Sequence, residues 1–494
     1  MEIAVLLFLS SGLFLGWSLG ANDAANVFGT AVGTRMVHFT TAAIVCSIFV
    51  VLGAVFSGAG AAHTLGKLGS VNAIGGSFVA ALSAGLSVYW MTRLGITVST
   101  SQAIVGAIIG WNLFSDSITD SSALIKILIT WVACPILAGL IAAPLYIMTR
   151  LYLGWAKFHL LRLDAYTRAA LIGAGAFGAY SLGANNIANV MGVFVPVSPF
   201  TDINLAGLMT LTSIQQLFLL GALAIAVGVF TYSKKVMLTV GDGLMSLSPV
   251  AAWVVVIAHS IVLFLFTSES LEHLLASNGL PTIPLVPVSS SQAVVGAVVG
   301  IGILKGARNI QWRTLGNIGV GWVMTPLISA TVCFVTLFFV QNVFNQEVYR
   351  NVSYSLSPAS MEKVISMGAP AERLQALQGM EFNSAVAFRD ALRKVGVLTD
   401  DQISKTLYYA ENRMIVIDPG KFVRLDREWL SKGQFEGLTA VSGRRFEHTW
   451  EVSEALAAAA PDWRILEQTM LNKKHNKEIQ EKLDYIYLMF SLEE

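Results

Sequence analysis

Ten stretches of this chain stay apolar over roughly the 20 residues a helix needs to cross the hydrocarbon of a bilayer, and that requirement excludes most folds. They lie near 3–20, 38–60, 73–92, 96–114 and 123–149, then near 168–197, 205–231, 248–268, 281–304 and 316–341. Water is missing at that depth, so each segment must satisfy its own peptide groups, and the expected architecture is all-α and polytopic. Composition agrees: 13% of the 494 residues are charged, against about 25% in a soluble domain. A net charge of +1 excludes a strongly basic nucleic-acid binder. The first run lacks the basic start of a signal peptide (Glu2 is the early charge) and apolar character resumes after it, so it reads as a first transmembrane helix. Cys46, Cys134 and Cys333 all fall in apolar segments and read as packing residues.

The two sets of five runs are copies. "SLGANDAANVFG" (18–29) matches "SLGANNIANVMG" (181–192), "VSTSQAIVGAIIG" (98–110) matches "VSSSQAVVGAVVG" (288–300), and "WVACP" (131–135) matches "WVMTP" (322–326). Three matches in one order mark an internal duplication. Loop charge suggests that the copies are inverted. Arg35 follows the first Asn motif and Asp116 and Asp120 follow the first Ser motif. In the second copy Asp202 follows the Asn motif, whereas Lys305, Arg308 and Arg313 follow the Ser motif. The positive-inside rule then gives two repeats of opposite orientation in the plasma (inner) membrane, with both termini outside; Lys67 is the exception. The expected domains are repeat 1 over 1–149, a basic cytoplasmic connector over 150–167, repeat 2 over 168–341, and a charged, soluble, mainly helical domain over 345–494.

Polar residues inside those runs carry the chemistry. A lone Asp at the centre of a membrane helix costs about 2.5–3.5 kcal/mol on insertion scales; Asp23 therefore needs a partner, and a cation or proton is the usual one. Asn22 and Asn26 add amide oxygens suited to Na⁺, and Gly20 would permit either close backbone approach or a break in the helix that frees carbonyls for coordination. Plain hydrogen bonding between helices is the competing reading, and the duplication weighs against it. The hydroxyl triplets Ser99, Thr100, Ser101 and Ser289, Ser290, Ser291 each precede an apolar helical run. Serine caps helices, and a helix N-terminus ringed by hydroxyls attracts an anion, because free N–H donors and the positive dipole end converge there. Two such ends brought together would cradle a tetrahedral oxyanion; two ordinary capped helices are the alternative. Gly12, Gly16 and Gly20, with Gly106/Gly110 and Gly296/Gly300, form small-residue ridges for helix packing. His63 and His259 are single histidines without a ligand-spaced partner and read as structural. The sequence offers no nucleophile–base pairing and no HExxH, so an enzyme is not expected.

In these motif pairs and their order, over about residues 1–341, the chain resembles the inorganic phosphate transporter family of sodium- or proton-coupled phosphate permeases. The resemblance implies an inverted-repeat symporter, usually a homodimer, whose Ser-rich segments form re-entrant hairpins and raise the element count from ten to about twelve. It implies cation binding by Asn22, Asp23 and Asn26 with Asn185, Asn186 and Asn189, and phosphate binding by residues 99–101 and 289–291. Two departures stand out. The family's second motif carries Asp where this chain has Asn186, and the residue after each triplet is commonly His where this chain has Gln102 and Gln292. The first removes a negative charge, and the second removes a proton carrier, which favours Na⁺ over H⁺. The expected function is cation-coupled phosphate symport with no cofactor beyond the coupling ion, with sulfate as the runner-up substrate. An anion channel, and a receptor signalling through residues 345–494, are readings of another class.

Overall fold

The computed structural model describes the chain apart from residues 1–2, 70, 94–97, 201–202, 206–208, 241–244, 246, 308–309, 368–369, 371–373, 397, 426–429, 468, 470–471 and 492–494. Asp202 and Arg308, used in the loop-charge argument, lie outside the described residues, as do the side chains of His63 and Lys67.

The first half comprises α1 (Ile3–Gly33), α2 (Phe39–Ser57), α3 (Ala59–Leu68), α4 (Ile74–Arg93), α5 (Thr100–Phe114) and α6 (Ser121–Ala156). The second comprises α7 (Leu160–Met191), α8 (Ser213–Thr231), α9 (Ser233–Val240), α10 (Pro249–Leu265), α11 (Glu269–Ser277), α12 (Ser290–Leu304) and α13 (Trp312–Asn342). Among the described residues, six helices are long and apolar enough to cross a membrane: α1, α2, α4, α6, α8 and α13. The α10–α11 pair, bent by 67°, would make a seventh span. Helix α7 is not among them; its C-terminal half carries Gly178, Gly183, Asn185, Asn186 and Asn189, all buried inside the protein. By contrast α6 and α13 expose Leu128, Ile136, Leu140, Val320, Val323 and Leu327, a large apolar surface on the outside of the bundle.

The halves pack by exchange. Helix α1 lies on α8 as α7 lies on α2, and α5 lies on α13 as α12 lies on α6. The matched motifs make these last two contacts. A Cβ at Gly106 would overlap the Pro326 carbonyl, and a Cβ at Gly296 would overlap that of Pro135. The duplicated WVxxP and Ser-motif segments are therefore the two sides of one close helix contact, made twice.

Several expected boundaries move. The Asn motif does not break α1, which is continuous helix from residue 3 to 33 through Gly20. The run near 205–231 begins with a short hairpin, Ile203–Leu205 against Met209–Leu211, and only then becomes α8. The run near 281–304 is helical only from Ser290; the segment before it carries Pro281, Pro284 and Pro287, each lacking the N–H a helix requires. The connector over 150–167 is mostly the ends of two helices. α6 closes at Lys157 in the left-handed conformation (φ 44°), whose N–H donates to the Leu153 carbonyl, and α7 opens at His159.

Beyond residue 345 the described chain is again mainly helical, at Pro358–Ser366, Ala385–Val395, Asp400–Ala410, Lys432–Ala440, Thr449–Ala459 and Lys473–Phe490, with short strands between. Two apolar clusters hold it, one around Phe388 and Leu392, the other around Trp463, Leu483 and Phe490. The segment leading to it is strapped to the first half. Val348 is buried, its carbonyl accepts from Trp111 Nε1 at 3.0 Å, and Asn72 exchanges two 2.9 Å bonds with the Arg350 backbone.

Candidate anion and cation site

Sequence fixes the hydroxyl segments locally. Ser99 and Ser289 are the N-caps of α5 and α12, each accepting the N–H three residues on (Gln102 and Gln292) at 3.3 Å. These two hydroxyls are engaged in ending helices. The third hydroxyl of each triplet reaches across to the other half: Ser101 Oγ donates to the Val288 carbonyl at 3.0 Å, and Ser291 Oγ to the Val98 carbonyl at 3.2 Å. This reciprocal tie brings the two helix N-termini together, so two positive dipole ends share one buried place.

The asparagines arrive on α1 and α7 and do unequal work. Asn26 Nδ2 donates to Ser290 Oγ at 3.1 Å, and Asn189 Nδ2 donates to Ser101 Oγ and to Asn186 Oδ1, both at 2.8 Å. Each Asn motif thus grips a hydroxyl segment. Asn185, expected among the cation ligands, is engaged otherwise: its Oδ1 accepts the Val288 N–H at 3.0 Å, and its Nδ2 donates to Thr267 Oγ1 and the Val286 carbonyl. It splints the extended segment ahead of α12. Asn22 Nδ2 donates to Asp23 Oδ1 at 3.0 Å. Asp23 is 3% exposed and, among the described residues, makes no ion pair.

Buried polar atoms without a hydrogen-bond partner concentrate here. Thr100 Oγ1, Gln102 Oε1, Gln292 Oε1, Asn186 Nδ2 and Asn189 Oδ1 all belong to the site, and each would cost about 1–3 kcal/mol if it met nothing. They divide by chemistry: the Asn186 amide donates, the three amide oxygens accept, and the Thr100 hydroxyl does either. Such a mixed lining suits an oxyanion that also carries hydroxyl hydrogens, beside a hard cation.

His259 was legible only as a single histidine without a ligand-spaced partner in the apolar run "WVVVIAHSIVLFL". It is fully buried on α10 with Nε2 2.9 Å from Ser290 Oγ. Cys134 is a second neighbour without a sequence signal, its Sγ donating to the Ser289 carbonyl at 3.6 Å.

Fold and site together define a multi-pass helical membrane protein with a duplicated cluster of polar side chains buried between its halves. The sequence matches the phosphate transporter family over residues 19–167, 159–333 and 276–485. The chain belongs to that family. The third match runs well into residues 345–494, past the limit of about 341 set by the motif resemblance. A "Putative phosphate permease" of Methanocaldococcus jannaschii is 28% identical over 68% of this chain and 97% of its own length. The sulfate permease CysP of Bacillus subtilis is 26% identical over 68% of this chain and 88% of its own. A solved structure titled as the sodium-dependent phosphate transporter superposes with a TM-score of 0.53 at 22% identity, covering 69% of this chain and 99% of that one. That likeness is one of fold.

Proposed function

We propose that this protein is a cation-coupled symporter of inorganic phosphate, with Na⁺ as the coupling ion, built from two inverted-topology repeats. Asp23 and the amide oxygens of Asn22, Asn26 and Asn189 hold the cation. Thr100, Ser290, Asn186, Gln102, Gln292 and the free N–H groups at the start of α5 and α12 hold the anion. Asn185, Ser99, Ser101, Ser289 and Ser291 support the site from behind. Anion and cation neutralise one another, so the loaded site crosses the membrane at a lower electrostatic cost than either ion alone. The observation that carries this reading is the reciprocal Ser101–Val288 and Ser291–Val98 tie within a set of buried polar atoms that lack protein partners.

Sulfate is the second reading, favoured by the similarity to a sulfate permease and by the loss of a carboxylate at Asn186. The unpartnered acceptors Gln102 Oε1 and Gln292 Oε1 favour phosphate instead. Phosphate at neutral pH carries hydroxyl hydrogens to give them, whereas sulfate carries none. The connector lies in the cytoplasm and the termini outside; the apolar faces of α6 and α13 meet lipid and a second copy of the chain. Residues 345–494 form a soluble domain.

Competition in proteoliposomes separates the readings. Labelled phosphate should accumulate under an inward Na⁺ gradient and be displaced by cold phosphate well before sulfate. Sulfate competing as well as phosphate would exchange the two. Transport without accumulation would indicate a channel, and binding without transport a receptor.

A further inference from the structure

Ser290 and its counterpart Thr100 occupy equivalent places in the two hydroxyl triplets, yet their surroundings differ. The Thr100 hydroxyl has no hydrogen-bond partner among the described residues. Ser290 Oγ has two, the Asn26 amide at 3.1 Å and His259 Nε2 at 2.9 Å. The Asn26 Nδ2 group can only donate, so it fills one lone pair of that oxygen. The remaining lone pair and the hydroxyl hydrogen must then be divided between His259 and whatever the site binds. If Nε2 carries the proton, it fills the second lone pair, and the Ser290 hydrogen is left pointing at the ligand. If Nε2 is bare, it takes the Ser290 hydrogen and the ligand meets an oxygen. His259 Nδ1 is buried without a partner, and a bare ring nitrogen is easier to leave unsatisfied there than an N–H.

We propose that His259 is a positioning residue for the transported anion. In its Nε2–H tautomer it donates to Ser290 Oγ and, with Asn26, turns the Ser290 hydroxyl into a fixed donor toward the oxyanion. The first half offers the rotatable Thr100 hydroxyl at the matching place, so one side of the anion is held by a set donor and the other by an adjustable one. This rests on the oxyanion reading above.

Two measurements on the full-length protein test it. The first is solid-state NMR of the histidine-¹⁵N-labelled protein in lipid bilayers, the His259 signal being assigned by its loss in His259→Gln. A protonated Nε2 with a bare Nδ1 is expected; a protonated Nδ1 with a bare Nε2 overturns the proposal. The second is phosphate uptake by variants. In His259→Gln the side-chain amide ends the same number of bonds from the backbone as Nε2 and keeps a donor there, so KM for phosphate should stay within about twofold of wild type. His259→Asn falls one bond short, and His259→Leu has no donor; both should raise KM about tenfold, the value of one hydrogen bond to a charged group, with a smaller change in turnover. Equal KM in the Gln and Asn variants overturns the proposal, even if the Leu variant fails to fold. Absence of uptake by the wild-type protein would count against the transport reading, while the NMR result would still decide the tautomer.

Discussion

At the scale of single residues, the site is asymmetric despite its duplicated sequence. Asp23 is a buried carboxylate whose neighbour is an amide, and the matching position of the second half is Asn186, whose Nδ2 meets no acceptor among the described residues. A carboxylate there would still accept from Asn189 and would present an oxygen where the amide now presents N–H. Asn186→Asp is therefore expected to change the Na⁺ Hill coefficient or the phosphate-to-sulfate preference in uptake assays; no change in either would remove position 186 from the ligand. Asp23→Asn keeps the shape and removes the charge, and should abolish gradient-driven accumulation while leaving expression and folding near wild type. These residues were legible in the sequence because polar side chains at membrane depth are costly and here occur in matched pairs. Their division of labour was not. Asn185 and Asn189 share one motif, yet one splints a backbone and the other grips a hydroxyl, which depends on what the segment ahead of α12 and helix α5 bring alongside. His259 escaped for the same reason, since a single histidine in an apolar helix carries no pattern.

Among the elements, hydropathy located most of the helices and misjudged several of their ends. It sees how apolar a segment is and is blind to whether the segment is helical. The stretch before α12 is as apolar as a span, but three prolines hold it extended; that spacing was the available signal. The converse holds for α1, where the polar motif suggested a break and tertiary contacts with α8 and α4 carry the helix through it. The duplicated glycines and prolines explain each other only in the fold. Substituting Gly106→Ala or Gly296→Ala would drive a methyl group into a partner helix's backbone, where relief requires the helices to separate. Overpacking of this kind costs about 1–3 kcal/mol. Each variant should melt at a lower temperature in detergent, and an unchanged melting temperature would mean that these helix contacts are looser than described. Asp120 caps α6 by accepting from Ser122 and Ala123 N–H groups at 2.7 and 3.1 Å; Asp120→Ala should cost about 1 kcal/mol, read in the same assay.

Across the whole molecule, about a third of the chain lies outside the region matched by the phosphate and sulfate permease relatives, although each relative is matched over most of its length. A chain ending after Asn351 keeps the strap in which Val348 and Arg350 pack on Trp111 and Asn72, and should retain uptake. A chain ending after Asn342 loses the strap and should melt lower; equal stability of the two would deny the strap a structural role. The helical class was readable from the apolar runs, and the duplication and the family from the repeated motifs, because copies in a fixed order survive any uncertainty about where helices end. The exchange of packing partners between the halves was not, since it is a property of how the copies meet. The most direct test of the central claim is uptake of radiolabelled phosphate by proteoliposomes of the purified protein, with inward Na⁺ and proton gradients imposed separately. Accumulation above equilibrium that follows the Na⁺ gradient and vanishes in Asp23→Asn is the expected result. Accumulation driven by a proton gradient without Na⁺, or unaffected by loss of the Asp23 carboxylate, would contradict the account.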